Sequence, residues 1–374
     1  MPGIGLITNP RARTNQKDPA RMRRLGYLLG SRGLPEATKS IDDLYRVAEE
    51  FRSSGIDILG INGGDGTIGC TLTAFIKVYQ AAGTPLPLVA ILRGGTMNTI
   101  ANSIGIKGAP GKLLFDVLDR YHNLEPFSYY ERELLKVGHD YGFIFGNGLI
   151  HNYLKAYYGT GNPCPQVAAR VLFRGIFSAM AGGAFAKSLI KRFRAHVTAD
   201  GREWAVTEFI TVAAATVEQI GLGFAPFYRT NERPGTFACL GIHTNALGFV
   251  LELPRVRTSR PMRRDKVIDV VAREVHFESD EALEYTLDGD THETGKTLEI
   301  GLGPRLRFIV PDAAPERFRT GRTTAGEGRA LGGAAATAAL GPGGDDDASA
   351  ASAPAAAAGP ASAAWGQPPT TGTW

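Results

Sequence analysis

The feature that most constrains this chain is the regular alternation of short apolar runs and amphipathic segments through its first 130 residues, with glycine clusters directly after two of the apolar runs. Apolar runs of strand length alternate with segments of helical spacing, which occupy residues 3–8 (strand), 21–31 (helix), 36–38 (strand), 40–53 (helix), 56–61 (strand), 67–82 (helix) and 87–92 (strand). Strands that alternate with helices pair in parallel through crossover connections. The sequence therefore predicts an N-terminal α/β domain over residues 1–130, built on a parallel sheet with crossover helices.

Beyond residue 130 the pattern changes to short strands separated by turns, with one helical insertion over residues 165–194. This pattern predicts a mostly antiparallel, β-rich second domain over residues 131–297. The apolar runs after it indicate that the chain returns to the first domain near residues 298–315. Residues 321–374 are dominated by Ala, Gly, Pro, Ser and Thr, which bury too little apolar surface to offset the entropy of ordering, so we expect a disordered tail.

Composition narrows the class of protein further. Lys and Arg number 41 against 37 for Asp and Glu, which is far from the charge of a dedicated nucleic-acid-binding protein, so no nucleic-acid partner is expected. Three scattered cysteines do not make a disulfide framework, and they favour a reducing cytoplasm. The N-terminus lacks the pattern of a signal peptide, and no apolar run approaches the ~18–20 residues that cross a bilayer. We expect a cytoplasmic protein, and homo-oligomerisation stays open.

The strongest motif follows the strand at residues 56–61. Three glycines there permit close backbone approach, so that successive N–H groups can converge on an anion, and Thr67 adds a hydroxyl at a helix start. The carboxylate of Asp65 would oppose a phosphate unless it holds a metal or orients a neighbouring polar group. The alternative is a tight strand-to-helix turn with Asp65 as a cap. The motif consists of Gly63, Gly64, Asp65, Gly66 and Thr67.

A second loop, with Gly95, Thr96 and Asn98, follows the strand at residues 87–92 and again leads into a helix. Alone it could be an ordinary N-capped helix. The first strand ends in Asn9 and Pro10. Because the carboxyl ends of parallel strands meet at one edge of a sheet, the three loops are predicted to line a common ligand-binding rim.

With these motifs the sequence resembles the diacylglycerol kinase catalytic-domain family, which includes bacterial lipid kinases and sphingosine kinases and is distantly related to NAD kinases. The matching segments run in family order at residues 8–10, 38, 63–67, 95–98, 101, 104–106 and 288–290. The resemblance implies ATP as phosphoryl donor, Mg²⁺ on the nucleotide and a hydroxyl of a membrane lipid as acceptor. It also implies Asp290 as general base, Asp65 as a catalytic and metal-associated residue, and a nucleotide site formed by Asn9, Pro10, Thr38, Gly63, Gly64, Asp65, Gly66, Thr67, Gly95, Thr96 and Asn98.

Several positions depart from the family pattern, in which an Asn-Glu pair follows the first loop and Asp follows the Asn of the second. Here Ile68, Gly69 and Cys70 follow the first loop and Thr99 follows Asn98, while Pro234 stands where a metal-associated Asp is usual. Two alternatives therefore remain: a soluble-substrate kinase of the NAD kinase type, which shares the first loop, and a catalytically impaired regulator that binds lipid or nucleotide.

The helical insertion suggests how a lipid kinase would reach its substrate. No acidic residue occurs between Asp140 and Asp200, and basic residues at helical spacing are interleaved with apolar ones. Cationic amphipathic helices favour anionic lipid surfaces, so we expect peripheral membrane association. The alternative is a helix pair that packs on the β domain with a solvated charged face. The basic residues are Arg170, Arg174, Lys187, Lys191, Arg192 and Arg194.

Overall fold

The N-terminal third alternates strands and helices in the computed structural model, which describes residues 3–30, 33–161 and 164–327. These elements are β1 (Ile4–Thr8), α1 (Arg13–Lys17), α2 (Pro19–Leu29), β2 (Gly33–Ala37), α3 (Ile41–Ser54), β3 (Ile58–Asn62), α4 (Asp65–Ala81), β4 (Leu88–Ile91), α5 (Thr99–Ser103) and α6 (Pro110–His122). The strands pair in parallel in the order β2–β1–β3–β4. All five residues of β1 and of β3 are buried, as expected for strands with neighbours on both sides.

The remaining chain is mostly antiparallel. Its elements are β5 (Phe127–Val137), β6 (Asp140–Gly142), β7 (Ile144–Asn147), α7 (Leu149–Tyr158), α8 (Pro165–Met180), α9 (Ala184–Leu189), β8 (Phe193–Ala199), β9 (Arg202–Glu203), β10 (Glu208–Phe209), β11 (Thr211–Ala215), β12 (Phe237–Ile242), α10 (Ala246–Val250), α11 (Leu253–Arg257), β13 (Val267–Ala272), β14 (Glu274–Ser279), β15 (Leu283–Leu287), β16 (Asp290–Thr294), β17 (Thr297–Ile309) and β18 (Gly321–Thr323). A 3₁₀ turn occupies Glu316–Phe318.

Two long strands, β5 and β17, join the two domains. They pair with each other in antiparallel fashion, with a bulge between Leu302 and Arg305. The first part of β17 pairs with β14 of the second domain, and Phe308 near its end pairs in parallel with Val89 of β4. The sequence pattern suggests two strands, at 297–300 and 306–310, but the structure forms one because the bulge absorbs the irregular residues between them.

The second domain consists of two packed sheets and a helical layer. Strands β13, β12, β11, β7, β15 and β16 form a six-stranded sheet in that order. One face of this sheet packs against β8, β14 and β17 through a core that includes Phe145, Phe277 and Tyr285. Helices α7 to α11 follow strands of this sheet, and residues of several of them pack in a second core against its other face. The fold is therefore the predicted α/β domain followed by an antiparallel, β-rich domain.

The chain beyond β17 differs from the prediction in one respect. The disordered tail is predicted to start at residue 321, but residues 321–323 form β18, because their backbone pairs with β5 and Thr323 is buried. The rest of the predicted tail, from residue 328 on, lies outside the described residues. Among the residues that the structure describes, no helix is both long and apolar enough to cross a bilayer.

The core between the two sheets of the second domain generates a stability prediction. Phe145 is 1% exposed and its ring lies 5.7 Å from that of Phe277 and 5.5 Å from that of Tyr285, centroid to centroid. Phe145→Ala is expected to lower the free energy of unfolding by about 3–5 kcal/mol through lost burial and a residual cavity. Phe173→Ala, at a position 56% exposed, should change it by less than about 0.5 kcal/mol. Urea denaturation followed by circular dichroism measures both, and equal losses would contradict the assigned core.

Candidate functional site

The rim at the carboxyl ends of β1, β3 and β4 carries the three loops that the sequence places there. Asn9, directly after β1, donates its side-chain amide to the Thr67 hydroxyl at 2.9 Å, and both residues are buried. The backbone N–H of Asn9 donates to the Asn62 carbonyl at 3.1 Å. These bonds fix the end of β1 against the first turn of α4. The loop after β1 and the glycine loop after β3 therefore form one unit.

The two glycine loops touch through their backbones. A side chain at position 95 would place its Cβ 2.4 Å from the Gly64 Cα, and one at position 94 would place its Cβ 2.7 Å from the Gly63 nitrogen. No side chain fits at such distances. Glycine is therefore required at these positions by the close approach of the loops.

Asp65 joins the same two loops electrostatically. Its Oδ2 accepts the Thr99 backbone N–H and its Oδ1 accepts the Ile100 N–H, both at 2.9 Å. Enclosure of the carboxylate raises the pKa of Asp65, and the two amide bonds oppose that rise. Both oxygens accept a backbone N–H, so this carboxylate holds the two glycine loops together, and the metal role implied by the resemblance stays a prediction. The described residues contain no cluster of three His, Cys, Asp or Glu side chains placed to hold a metal ion.

Asn98 closes the second loop from within. Its backbone is left-handed, with φ of 50°, and its side chain both accepts the Gly95 N–H at 3.1 Å and donates to the Gly95 carbonyl at 2.9 Å. The Thr14 hydroxyl donates to the same carbonyl at 3.0 Å. Thr96 between them is exposed. Asn98 thus shapes the loop, and Thr96 is the side chain that the loop presents to solvent.

The other two predicted rim residues lie at the ends of β1 and β2. Pro10, after β1, is half-buried. Thr38, after β2, is buried, and its backbone N–H donates to the Thr8 carbonyl at 3.2 Å. The structure therefore brings both to the same edge of the sheet as the glycine loops.

Asp288 and Gly289 form the predicted tight turn between β15 and β16. Their φ values are 53° and 98°, the left-handed pair of a two-residue hairpin turn. The buried Asp288 carboxylate accepts the N–H groups of Phe143 at 2.9 and 3.0 Å and of Ile144 at 2.9 Å. These bonds anchor the turn to the segment between β6 and β7.

Asp290 is the first residue of β16 after that turn, and its side chain lies against the first turn of α4. A Cβ at Gly66 would be 2.7 Å from each of its carboxylate oxygens. Its Oδ2 has one side-chain partner, the Cys70 thiol, at 3.7 Å. Enclosure of the carboxylate, with a smaller contribution from the charge of Asp65, raises the pKa of Asp290 to about 6, while the Cys70 hydrogen bond lowers it. The Asp290 carboxylate of the second domain thus lies at the rim of the first domain.

Two neighbours of Asp290 are missing from the sequence prediction. Cys70 lies one helical turn after Gly66, so helical spacing could have identified it once Asp290 was known to face Gly66. Tyr158 ends α7, and its hydroxyl would be 3.2 Å from a Cβ at Gly289. Burial and the charge of Asp290 raise the pKa of Tyr158. No sequence signal connects Tyr158 to the turn.

The departures from the family pattern have physical explanations at three of the positions. Ile68 is fully buried in the core of the first domain. Gly69 faces Asp288, since a Cβ there would be 3.3 Å from the Asp288 Oδ2. The Thr99 backbone is the donor that Asp65 binds. Pro234 is exposed, and nothing in its surroundings explains it.

The loop that contains Pro234, residues 216–236, covers the second glycine loop. Gly221 lies against Met97 and Thr99, to which its Cβ would come within 3.5 Å. Arg132 of β5 is buried, and it donates to the Thr216 carbonyl, to the Thr230 carbonyl at 3.0 Å and to the Asn231 side chain at 2.6 Å. A buried guanidinium therefore holds this loop of the second domain over the rim of the first.

The site consists of glycine loops at the carboxyl ends of a parallel sheet and a carboxylate beside a helix N-terminus, and α/β domains commonly bind anions at such an edge. Comparison with known proteins gives a family match for the first domain. Residues 3–125 match the family model of the diacylglycerol kinase catalytic domain. It is the family that the motifs of the sequence resemble.

Individual relatives are similar over part of the chain. The Probable lipid kinase YegS of Escherichia fergusonii is 33% identical over 117 residues, which are 30% of this chain and 37% of that protein. Its counterpart from Escherichia coli O127:H6 is 42% identical over 72 residues, 19% of this chain and 23% of the relative. The matched region therefore spans 23–37% of the length of these curated relatives. A solved diacylglycerol kinase from Bacillus anthracis str. Sterne has the same fold, with a TM-score of 0.56 at 17% identity over 84% of this chain and 98% of its own.

The contact between the glycine loops can be tested without any ligand. Gly95→Ala forces the two backbones apart and is expected to lower the free energy of unfolding by about 1–3 kcal/mol. The matched control is Gly26→Ala in α2, where a Cβ meets nothing within 4 Å, so stability should rise by roughly 0.5–1 kcal/mol. Urea denaturation of both variants distinguishes the two cases. If Gly95→Ala is as stable as Gly26→Ala, the loops do not touch.

Proposed function

We propose that the protein is an ATP-dependent lipid kinase in which Asp290 takes the proton from the acceptor hydroxyl of a membrane lipid as the γ-phosphate is transferred. The observation that carries the proposal is the position of the Asp290 carboxylate on the first turn of α4, where a Cβ at Gly66 would be 2.7 Å from its oxygens. Membership of residues 3–125 in a kinase family supports ATP as the donor. The relatives named as lipid kinases support a lipid acceptor.

Two features of the rim suit the phosphates of a nucleotide: the partial positive charge of a helix N-terminus and glycine backbone that carries no side chain. The first N–H groups of α4 have no partner within the helix, and the helix dipole places partial positive charge there. Gly64 and Gly95 are only partly covered and carry no side chain, so a phosphate can approach their backbone. Thr96 is exposed beside them. This is the arrangement in which helix N-termini bind phosphate groups.

Magnesium is expected on the nucleotide. Mg²⁺ in kinase sites keeps several waters and is bound by substrate phosphates with one or two carboxylates. We propose that Mg²⁺ arrives on ATP, where it would neutralise phosphate charge, with Asp65 as the protein ligand. Each Asp65 oxygen accepts one backbone N–H and keeps a further lone pair for a metal.

Asp290 is suited to the role of general base. A carboxylate whose pKa is about 6 is mostly ionised at neutral pH and is still basic enough to accept a proton from a hydroxyl in the transition state. The thiol of Cys70 contacts one of its oxygens and leaves the other without a side-chain partner. In a loose phosphoryl-transfer transition state, positioning the hydroxyl is the main task left to the protein.

We also propose that the protein works from the cytoplasm at an anionic membrane surface, through the basic residues of the helical insertion. Arg170, Lys187 and Lys191 are exposed, and Arg174 stacks over Phe185 at 4.2 Å. Arg192 and Arg194 both pair with Glu208, at 3.5 and 2.8 Å, so they contribute less charge than the sequence suggests. A lipid acceptor would make such binding useful because the substrate hydroxyl lies at the headgroup level.

Asp290→Asn tests the base directly. The amide cannot accept the proton, so transfer of labelled phosphate from ATP to a lipid extract should fall by roughly 10²–10⁴-fold. Asp280→Asn, an exposed aspartate after β14, should keep wild-type turnover. Binding of ATP, measured by calorimetry, should persist in both variants.

The outcomes separate the alternatives. Label that partitions into water with NAD as acceptor would favour a soluble-substrate kinase. ATP binding with no transfer to any lipid by the wild type would favour a regulator. Wild-type turnover by Asp290→Asn would remove the proposed mechanism.

A pH profile tests the environment of Asp290. Only the ionised carboxylate acts as a base, so kcat/KM should rise with pH through about 6. Cys70→Ala removes a donor that stabilises the ionised form, so the pKa of Asp290 rises and the acid limb moves to higher pH by a fraction of a unit, because a thiol is a weak donor. Cys70→Ser keeps a donor and should restore the profile, and Cys164→Ala should not move it. An unmoved limb in Cys70→Ala would show that the thiol does not act on Asp290.

A further inference from the structure

The helices of the second domain bring two distant basic segments to the same face of the six-stranded sheet. Helix α8 packs against α7, α9 and α10. Leu149 and Ile150 of α7, Phe249 of α10 and Val256 of α11 belong to one core with residues of that sheet. The segments at residues 165–192 and 246–264 therefore form one layer, whose other side is open to solvent.

The outer side of α8 is apolar. Phe173, Phe177 and Met180 are 56%, 68% and 63% exposed, and their spacing of four and three residues places them in one stripe. The buried residues of the helix, Ala168, Val171 and Ala179, lie on the opposite side. An exposed stripe with two phenylalanines is costly in water and marks an interaction surface.

Cations flank this stripe on α8 itself. Arg170 and Arg174 are exposed and are separated by one helical turn, and helical spacing places them beside the apolar stripe. Cations beside an exposed apolar stripe are the pattern of a helix that lies in a lipid interface. A protein partner that matched this surface would need an apolar groove bordered by acids, whereas an anionic bilayer offers both features everywhere.

The segment 246–264 repeats the combination, and the sequence analysis does not identify it. Leu247 and Leu251 are 48% and 58% exposed. The segment contains a single acidic residue, Glu252, which is 1% exposed and is shared between Arg255, Arg263 and Lys266 at 3.3–3.7 Å. The exposed basic residues of the segment are Arg255, Arg257, Arg260, Arg263 and Arg264.

We propose that α8, α10 and the segment through Arg264 form one discontinuous bilayer-binding surface, which inserts its exposed apolar side chains among anionic lipids and places its two basic segments against the headgroups. This inference rests on the proposed function for its purpose, because a lipid kinase must reach a hydroxyl at the bilayer surface. Helix α7 connects the surface to the site, since it packs against α8 and its last residue, Tyr158, lies beside Gly289. The apolar residues of the surface are Phe173, Phe177, Met180, Leu247 and Leu251.

Sedimentation of the full chain with vesicles tests the surface. Vesicles of phosphatidylcholine with phosphatidylglycerol should bind the wild type, and pure phosphatidylcholine should bind it much more weakly. The double variants Phe173→Ser with Phe177→Ser and Arg260→Glu with Arg264→Glu should each lower the partition coefficient by roughly tenfold or more. Two controls in the first domain, Tyr27→Ser and Arg23→Glu, change exposed residues and should stay within about twofold of the wild type.

Three results would overturn the inference. The first is a wild type that does not bind anionic vesicles. The second is wild-type binding by Arg260→Glu with Arg264→Glu, which would exclude the second segment. The third is a wild-type dimer, seen by analytical ultracentrifugation, that Phe173→Ser with Phe177→Ser dissociates, because the stripe would then be a contact between two copies of the chain.

Failure of this surface and failure of the proposed function are distinguishable. Phosphate transfer to a short-chain diacylglycerol in detergent micelles should be retained by both double variants and lost by Asp290→Asn. Vesicle binding should be retained by Asp290→Asn and lost by the double variants. A protein that binds vesicles but phosphorylates no lipid would refute the kinase and leave the surface standing.

Discussion

The rest of the site depends on the two hydrogen bonds from Thr99 and Ile100 to the carboxylate of Asp65. Three glycines in the first loop remove the side chains that would stabilise it, and the second loop has left-handed residues at Arg93 and Asn98. Such backbone is costly to order. One half-buried carboxylate that accepts two amide N–H groups holds both loops at once. The energetic penalty of its burial is offset by the bonds that it makes, as buried charge requires.

The second constraint is the pair of long strands that crosses between the domains. Because β17 pairs with β14 at one end and with β4 at the other, the sheets of the two domains share one strand. The hairpin of β15 and β16 is held in turn by Asp288 on the backbone between β6 and β7. Asp290 therefore reaches α4 through paired backbone and not through a free loop. Catalytic groups that are fixed in this way need little reorganisation during reaction.

The local sequence predicts the loops of the rim, but it does not predict the long-range contacts that hold these loops together. The loops after β1, β3 and β4 are recognisable because glycine clusters follow apolar runs and because the carboxyl ends of parallel strands share an edge. The partners of Asp65 are 34 and 35 residues away, and Cys70 and Asp290 are separated by 220 residues. No periodicity reports contacts over such distances. The same reason explains the undetected segment 246–264: its basic residues resemble a solvated loop until the packing of α10 on α8 brings the segment into the same helical layer.

The three aspartates of the site differ in the groups that they bind, and the proposed role of Asp290 rests on this difference. Both oxygens of Asp65 and of Asp288 accept backbone N–H groups, so these two carboxylates hold loops in place. Among the described residues, the thiol of Cys70 is the one side-chain partner of Asp290, and a thiol is a weak donor. Asp290 is therefore the aspartate of the three that holds no loop, which favours it as the proposed base. The shorter side chain of aspartate at this position is compatible with that role, because the tight Asp288-Gly289 turn already brings the residue onto the helix.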